Sequence, residues 1–124
     1  MSKRILVVED TEDNRQIIRD LLTSFDYELL EAVDGAEGVA MAQTHHPDLI
    51  LMDIQLPVLD GYEATRRIRA IPELTAVPII AVTSYALSGD EAKTREAGCD
   101  GYVAKPFSPR QLLAKIREFL PDAE

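Results

Sequence analysis

The chain is short of several things at once. It has one cysteine, Cys99, in 124 residues, so no intramolecular disulfide can form, and the thiol is expected to be a packing residue in a reduced protein rather than a redox centre. Positive charge is scarce: 13 Lys and Arg stand against 22 Asp and Glu, a formal net charge of -9. Such a surface repels phosphate backbones, which argues against direct binding of nucleic acid. No apolar run approaches a membrane span, and the run that opens the chain is too short for a secretory signal. Linkers, repeats and low-complexity tracts are also missing. What remains is expected to be one cytoplasmic domain, residues 1–124, with no membrane contact and no room for an output domain.

The apolar residues fall into compact runs. Ile5 to Val8, Leu49 to Met52 and Ile79 to Val82 lack alternation, as expected of strands covered on both faces. Tyr102 to Ala104 is a shorter candidate, and Tyr27 to Ala32, interrupted by Glu28 and Glu31, suits an edge strand. Helical stripes lie between them: Ile17, Ile18, Leu21, Leu22 and Phe25 share one face, as do Leu112, Leu113, Ile116, Phe119 and Leu120, and both should cover the sheet. Capping-box spacings mark helix starts at Asp34 with Glu37, Asp60 with Glu63, Ser88 with Glu91 and Ser108 with Gln111, the last reinforced by Pro109 at the first helical position. Five strand–helix units result. The expected fold is α/β, a doubly wound, flavodoxin-like sheet of five parallel strands in the order 2-1-3-4-5, with helices on both faces.

Four of the five strand patterns end in a reactive polar residue: Glu9 and Asp10 after the first, Asp53 after the third, Thr83 after the fourth and Lys105 after the fifth. In an open parallel sheet, ligands bind outside the carboxyl ends of the strands, at the point where strand order reverses. That point lies between the first and third strands, which gathers Glu9, Asp10 and Asp53. Two like charges about 4 Å apart repel by about 4 kcal/mol at an effective dielectric near 20, so the cluster must stay partly protonated or take up a cation. Mg²⁺ suits it, since that ion uses one or two carboxylates, water and phosphate oxygens, whereas Ca²⁺ wants a fuller protein cage. Asp53 is the candidate nucleophile, Lys105 a compact charge for a phosphoryl oxygen, and Thr83 a hydroxyl donor. Singly, each has a plain structural reading: Asp10 as an acidic helix start, Thr83 as a turn residue, Lys105 as a solvated strand end. Together at one strand edge they do not, because gathered like charge costs stability.

The segments ILVVEDTEDNR, DLILMDIQLPVLDGYEATRRIR, PIIAVTSYA and GYVAKPFSPRQLLAKI, in this order and spacing, resemble the receiver domain of bacterial two-component response regulators, of the stand-alone CheY and DivK kind. The resemblance implies that Asp53 is the phosphoacceptor. It implies Mg²⁺ held by Asp10, Asp53 and the main-chain carbonyl of Gln55, with Glu9 acting through water, and Mn²⁺ or Ca²⁺ as substitutes. Thr83 and Lys105 match the phosphoryl-binding pair, and Thr83 and Tyr102 the switch pair, in which the aromatic ring turns inward as the threonine moves. The Lys105-Pro106 peptide is cis in the family. Gln55 and Tyr85 occupy positions that flank attacking water, and a bulky Tyr85 with no acid or amide is expected to slow hydrolysis of the phosphoryl group. The resemblance makes the chain a phosphorylatable switch rather than an enzyme acting on other molecules.

Other readings fit less well. An aspartyl phosphatase of the haloacid-dehalogenase type needs a second Asp two residues after the nucleophile, where this chain has Gln55. A flavodoxin needs donors in the loop after the first strand, and Glu9, Asp10, Glu12 and Asp13 would repel a flavin phosphate. His45 and His46 follow the second helical pattern, where helix-end electrostatics favour histidine, and are expected at the surface. The implied partners are a sensor histidine kinase or a histidine phosphotransfer protein, and a downstream protein target. The chain is thus expected to be a terminal effector or a relay intermediate passing phosphate to a phosphotransfer histidine, with a receiver drawn from a hybrid kinase as the third alternative. The face of the fourth helix, fifth strand and fifth helix, with Arg95, Asp100, Lys115 and Arg117, serves dimerisation or target binding in related receivers.

Overall fold

The computed structural model describes residues 3–83 and 90–120. Five strands, β1 (Arg4–Val8), β2 (Glu28–Ala32), β3 (Leu49–Asp53), β4 (Ile79–Thr83) and β5 (Gly101–Ala104), alternate with helices α1 (Glu12–Ser24), α2 (Gly35–His45), α3 (Gly61–Arg69), α4 (Asp90–Ala97) and α5 (Pro109–Phe119). A short 3₁₀ turn, Pro72–Leu74, precedes β4. The strands pair in parallel in the order β2-β1-β3-β4-β5. The expected doubly wound sheet is the one observed.

Strand parity divides the interior into two cores, because successive side chains point to opposite faces. Leu6, Val8, Ile50, Met52, Ile79 and Ala81 pack with Ala42, Ala64, Ile68 and Cys99 on the side of α2, α3 and α4. Ile5, Val7, Leu49, Leu51, Ile80 and Val103 pack with Ile18, Leu22, Leu112 and Ile116 under α1 and α5. Burial on both faces explains why β3 and β4 are uninterrupted in apolar character until their last residues, Asp53 and Thr83. Those two residues belong to the strands rather than following them, while the second strand begins at Glu28, not Tyr27.

The α1 stripe is narrower than the spacing suggests. Ile18 and Leu22 are buried, but Ile17 and Phe25 are 51% and 44% exposed, so these two do not cover the sheet. The ring of Phe25 lies under the Arg117 guanidinium, 5.2 Å from centroid to carbon. Helix starts differ in detail as well. Ser108 and Gln111 form a complete capping box with Pro109 in the first turn. Asp34 accepts the Glu37 N–H, but the Glu37 carboxylate takes the N–H of Val33 instead of closing back on Asp34. Asp60 accepts the Glu63 N–H while the Glu63 carboxylate turns to Arg66 and Arg67, an exposed competition that a backbone donor loses. The Ser88 signal lies outside the described residues.

Candidate functional site

The carboxyl ends of β1 and β3 bring the acidic residues together. Val8 pairs with Met52, so the next residues along, Glu9 and Asp53, sit side by side, and the Glu9 N–H extends the ladder to Ala32 O at 3.0 Å. Both are buried, at 2% and 3% exposure, whereas Asp10 is exposed. One carboxylate oxygen from each of Glu9, Asp10 and Asp53 lies within 4.8 Å of the others. Lys105 enters from the residue after β5, and its Nζ donates to Asp53 Oδ2 at 3.0 Å and to Glu9 Oε1 at 3.2 Å. The Lys105-Pro106 peptide is cis. Thr83, fully buried, approaches from the end of β4, and its carbonyl accepts the Lys105 N–H at 2.7 Å.

Charge in this pocket does not balance. Two buried carboxylates face one ammonium, with a third carboxylate at the rim. Burial first, and the charge of Glu9 second, push the Asp53 carboxyl up to about 6, against the pull of Lys105. For Glu9, burial also opposes ionisation, but Lys105 and the Thr11 N–H, donated to Oε2 at 3.1 Å, outweigh it and hold this carboxyl below its ordinary value. Burial works against the Lys105 ammonium, yet its bonds to Asp53 and Glu9 raise its pKa on balance. The two carboxyls are thus driven apart, Glu9 towards the ionised form and Asp53 towards the protonated one. Hard oxygen donors, excess negative charge and no soft ligand among the described residues of the cluster suit a small divalent cation such as Mg²⁺. The residues present fit that ion.

The loop after β3 shapes the rim. Gln55, exposed, donates its N–H to Asp53 Oδ1 at 3.1 Å. Leu59 N–H returns to Pro57 O at 2.7 Å around Val58, whose φ of 70 is rare for a β-branched residue and whose side chain is 82% exposed. Gly61 then starts α3 so close to β3 that a Cβ would stand 2.3 Å from the Asp53 carbonyl oxygen and 2.6 Å from Ile54 Cα. Only glycine lets the helix begin there. An open groove of about 510 Å³ runs from Asp10 and Gln55 past Pro57 and Asp60 to Lys93 on α4. A second, of about 480 Å³, lies beside Lys105 between Ile17 and Phe107.

Tyr102 is half-buried on the edge strand β5, with its hydroxyl oxygen covered. Tyr85 lies outside the described residues. His45 closes the last turn of α2 and His46 is its left-handed cap, at φ 46; neither joins the acidic cluster. Of the charges expected on the face of α4, β5 and α5, Asp100 is held by Arg69 at 2.6 Å and Arg117 leans on Phe25, so those two are engaged within the molecule. Cys99 is buried against Thr65, as its packing role requires. Sequence reasoning missed Arg15, whose guanidinium donates to the Glu9 carbonyl at 2.8 Å. A signal for it existed: Arg15 falls on the same helical stripe as Ile18 and Leu22, where a cation needs a reason.

A doubly wound sheet with an acid triad and a lysine at its switch point is the architecture of a signalling receiver. Residues 5–117 match the response regulator receiver domain family, and the chain belongs to it. It is 43% identical over 123 residues to the polar-differentiation response regulator DivK of Brucella ovis, covering 99% of this chain and all of that protein. Among solved structures, it is 41% identical to the receiver domain of the sensor histidine kinase PA1611 from Pseudomonas aeruginosa, with a TM-score of 0.91 and 98% and 100% of the two chains covered. That structure has a magnesium ion coordinated in its active-site cleft. The chemotaxis response regulator CheY4 of Vibrio cholerae is 28% identical, with a TM-score of 0.92 over 96% of this chain and 99% of that one. No helix among the described residues is long and apolar enough to cross a membrane.

Proposed function

We propose that this chain is a single-domain phosphorylation switch in which Asp53 accepts a phosphoryl group from a phosphohistidine. The observation that carries the reading is the buried Asp53 carboxylate, held between Glu9 and Lys105 with Asp10 at the rim. In the transfer, an Asp53 oxygen attacks phosphorus as the phosphorus–nitrogen bond breaks, and the electron pair leaves on the imidazole nitrogen, which takes a proton. Asp10, Asp53 and the Gln55 carbonyl would hold Mg²⁺, with Glu9 acting through water. Bound there, the ion would neutralise oxygen charge on the phosphoryl group and favour the ionised form of Asp53. Lys105 exchanges its bond to Asp53 for a phosphoryl oxygen, and the Thr83 hydroxyl donates to another.

Catalysis of this kind is positioning and electrostatics, so the chain promotes its own phosphorylation and its slow reversal without turning over a separate substrate. The phosphoryl group then biases two pre-existing arrangements of Thr83 and Tyr102, which needs only a few kcal/mol of differential stabilisation. Gln55 and Tyr85 set access for the hydrolysing water. The donor is a sensor kinase or phosphotransfer protein, for which the groove lined by Ile17, Pro106 and Phe107 beside Lys105 is the proposed contact. Output is a changed protein contact, either at a downstream target or in return transfer to a phosphotransfer histidine. Intact-protein mass after incubation with acetyl phosphate tests the chemistry. A single phosphoryl adduct that needs both Mg²⁺ and Asp53, and is lost in Asp53→Asn, is expected. A wild-type adduct that persists in Asp53→Asn or in EDTA overturns the assignment.

A further inference from the structure

Arg15 is only 12% exposed, and its guanidinium is divided among three elements. Nη1 donates to the Glu9 main-chain carbonyl at 2.8 Å, Nη2 pairs with Glu12 on its own helix, and Nε lies 3.3 Å from Glu31 Oε1 on β2. Glu31 is in turn clamped by Arg19 through two bonds of 2.7 Å, so the acceptor that holds Arg15 is itself fixed. The Glu9 carbonyl belongs to the peptide unit that joins Glu9 to Asp10. Since that unit is planar, fixing the direction of its C=O fixes the direction in which the chain enters Asp10.

We infer that Arg15 is a positioning residue for the metal site: by holding the Glu9–Asp10 peptide from the α1 side, it aims the Asp10 carboxylate at Asp53. Asp10 needs such help. It is the exposed member of the triad, while Glu9 and Asp53 are buried and bonded to Lys105. The planar fork of arginine can reach Glu9, Glu12 and Glu31 together; a lysine, as a single point donor, cannot. The inference rests on the reading of Glu9, Asp10 and Asp53 as a Mg²⁺ site.

Charge and positioning make opposite predictions here. Removing a cation near a cluster of carboxylates should by itself tighten Mg²⁺ binding, whereas loosening Asp10 should weaken it. Mg²⁺ titrations followed by amide chemical shifts, without any phosphodonor, distinguish the two. We expect about tenfold weaker binding in Arg15→Gln, the scale typical of partners that orient metal ligands, an intermediate loss in Arg15→Lys, and a clearly smaller loss in Arg19→Gln, which loosens Glu31 but leaves the Arg15 bond to the Glu9 carbonyl in place. Arg19 shares Glu12 and Glu31 with Arg15 but does not touch Glu9. Wild-type or tighter affinity in Arg15→Gln overturns the inference, and so does an equal loss in Arg19→Gln. Should Arg15→Gln not fold, Arg15→Lys decides: unchanged affinity there refutes the clamp. Failure of the wild type to bind Mg²⁺ overturns the metal site itself, and the clamp with it.

Discussion

Deleting the proposed phosphoacceptor should stabilise the metal-free protein. Asp53 and Glu9 place two carboxylates, 3% and 2% exposed, against one lysine. Its carboxyl is moved from an ordinary value of 3.8 to about 6 by burial and by Glu9. With the folded-state value above the unfolded one, the native protein holds this proton more tightly. The resulting stabilisation is full below pH about 4 and is lost as the pH rises through about 6. At pH 7.5 the ionised Asp53 therefore sets the folded state back by about 3 kcal/mol at most. Asparagine removes the charge and keeps an oxygen for the Gln55 N–H, while Lys105 keeps Glu9 at 3.2 Å. Part of the gain is given up with the Asp53–Lys105 bond, so Asp53→Asn should be more stable than wild type by about 1 to 2 kcal/mol. Urea unfolding in EDTA, followed by circular dichroism at pH 7.5 and pH 4, measures this directly. The difference should shrink at the lower pH, and excess Mg²⁺ should reverse the order by stabilising wild type alone. An asparagine variant less stable than wild type at pH 7.5 in EDTA, or a difference that grows on acidification, would refute the electrostatic reasoning.

Three further outcomes are expected. Gly61→Ala should cost more than about 2 kcal/mol in urea unfolding, because its Cβ meets backbone atoms of Asp53 and Ile54 that cannot step aside; a loss near that of a surface alanine substitution would contradict the close approach. The Cys99 thiol, pushed up to about 11 mainly by burial against the pull of its Thr65 bond, should resist alkylation at pH 8 in the native state and react once urea unfolds the chain; prompt native labelling would count against its packing role. Phosphorylated protein, freed of any phosphatase, should lose its phosphoryl group slowly because of Tyr85, and a half-life of seconds in a mass time course would end that idea.

Much of the fold was legible because a parallel sheet writes its burial directly into the chain. Strands covered on both faces must be continuously apolar, so β1, β3 and β4 stand out, and the polar residue that ends each run marks the edge where the site forms. Family membership was legible too, because the segments that carry these end residues stand in the order and spacing of a receiver domain. Features one element long were also within reach, such as the Ser108–Gln111 box.

Tertiary structure alone decided what depends on several elements meeting. Helical spacing put Ile17 and Phe25 on a covering stripe, but how far the sheet reaches beneath α1 left both exposed. Asp60 announced a helix start, yet nearby arginines drew Glu63 away from closing the box. At the site, sequence alone determined that three carboxylates and a lysine gather at one sheet edge. Which carboxyl keeps a proton, and that Arg15 reaches back to grip the Glu9 carbonyl, were decided only by the fold. The physical reason is that desolvation and Coulomb energy depend on distances between residues 44 and 96 positions apart, as in Glu9 to Asp53 and Glu9 to Lys105. No local pattern encodes those distances; strand register and packing do.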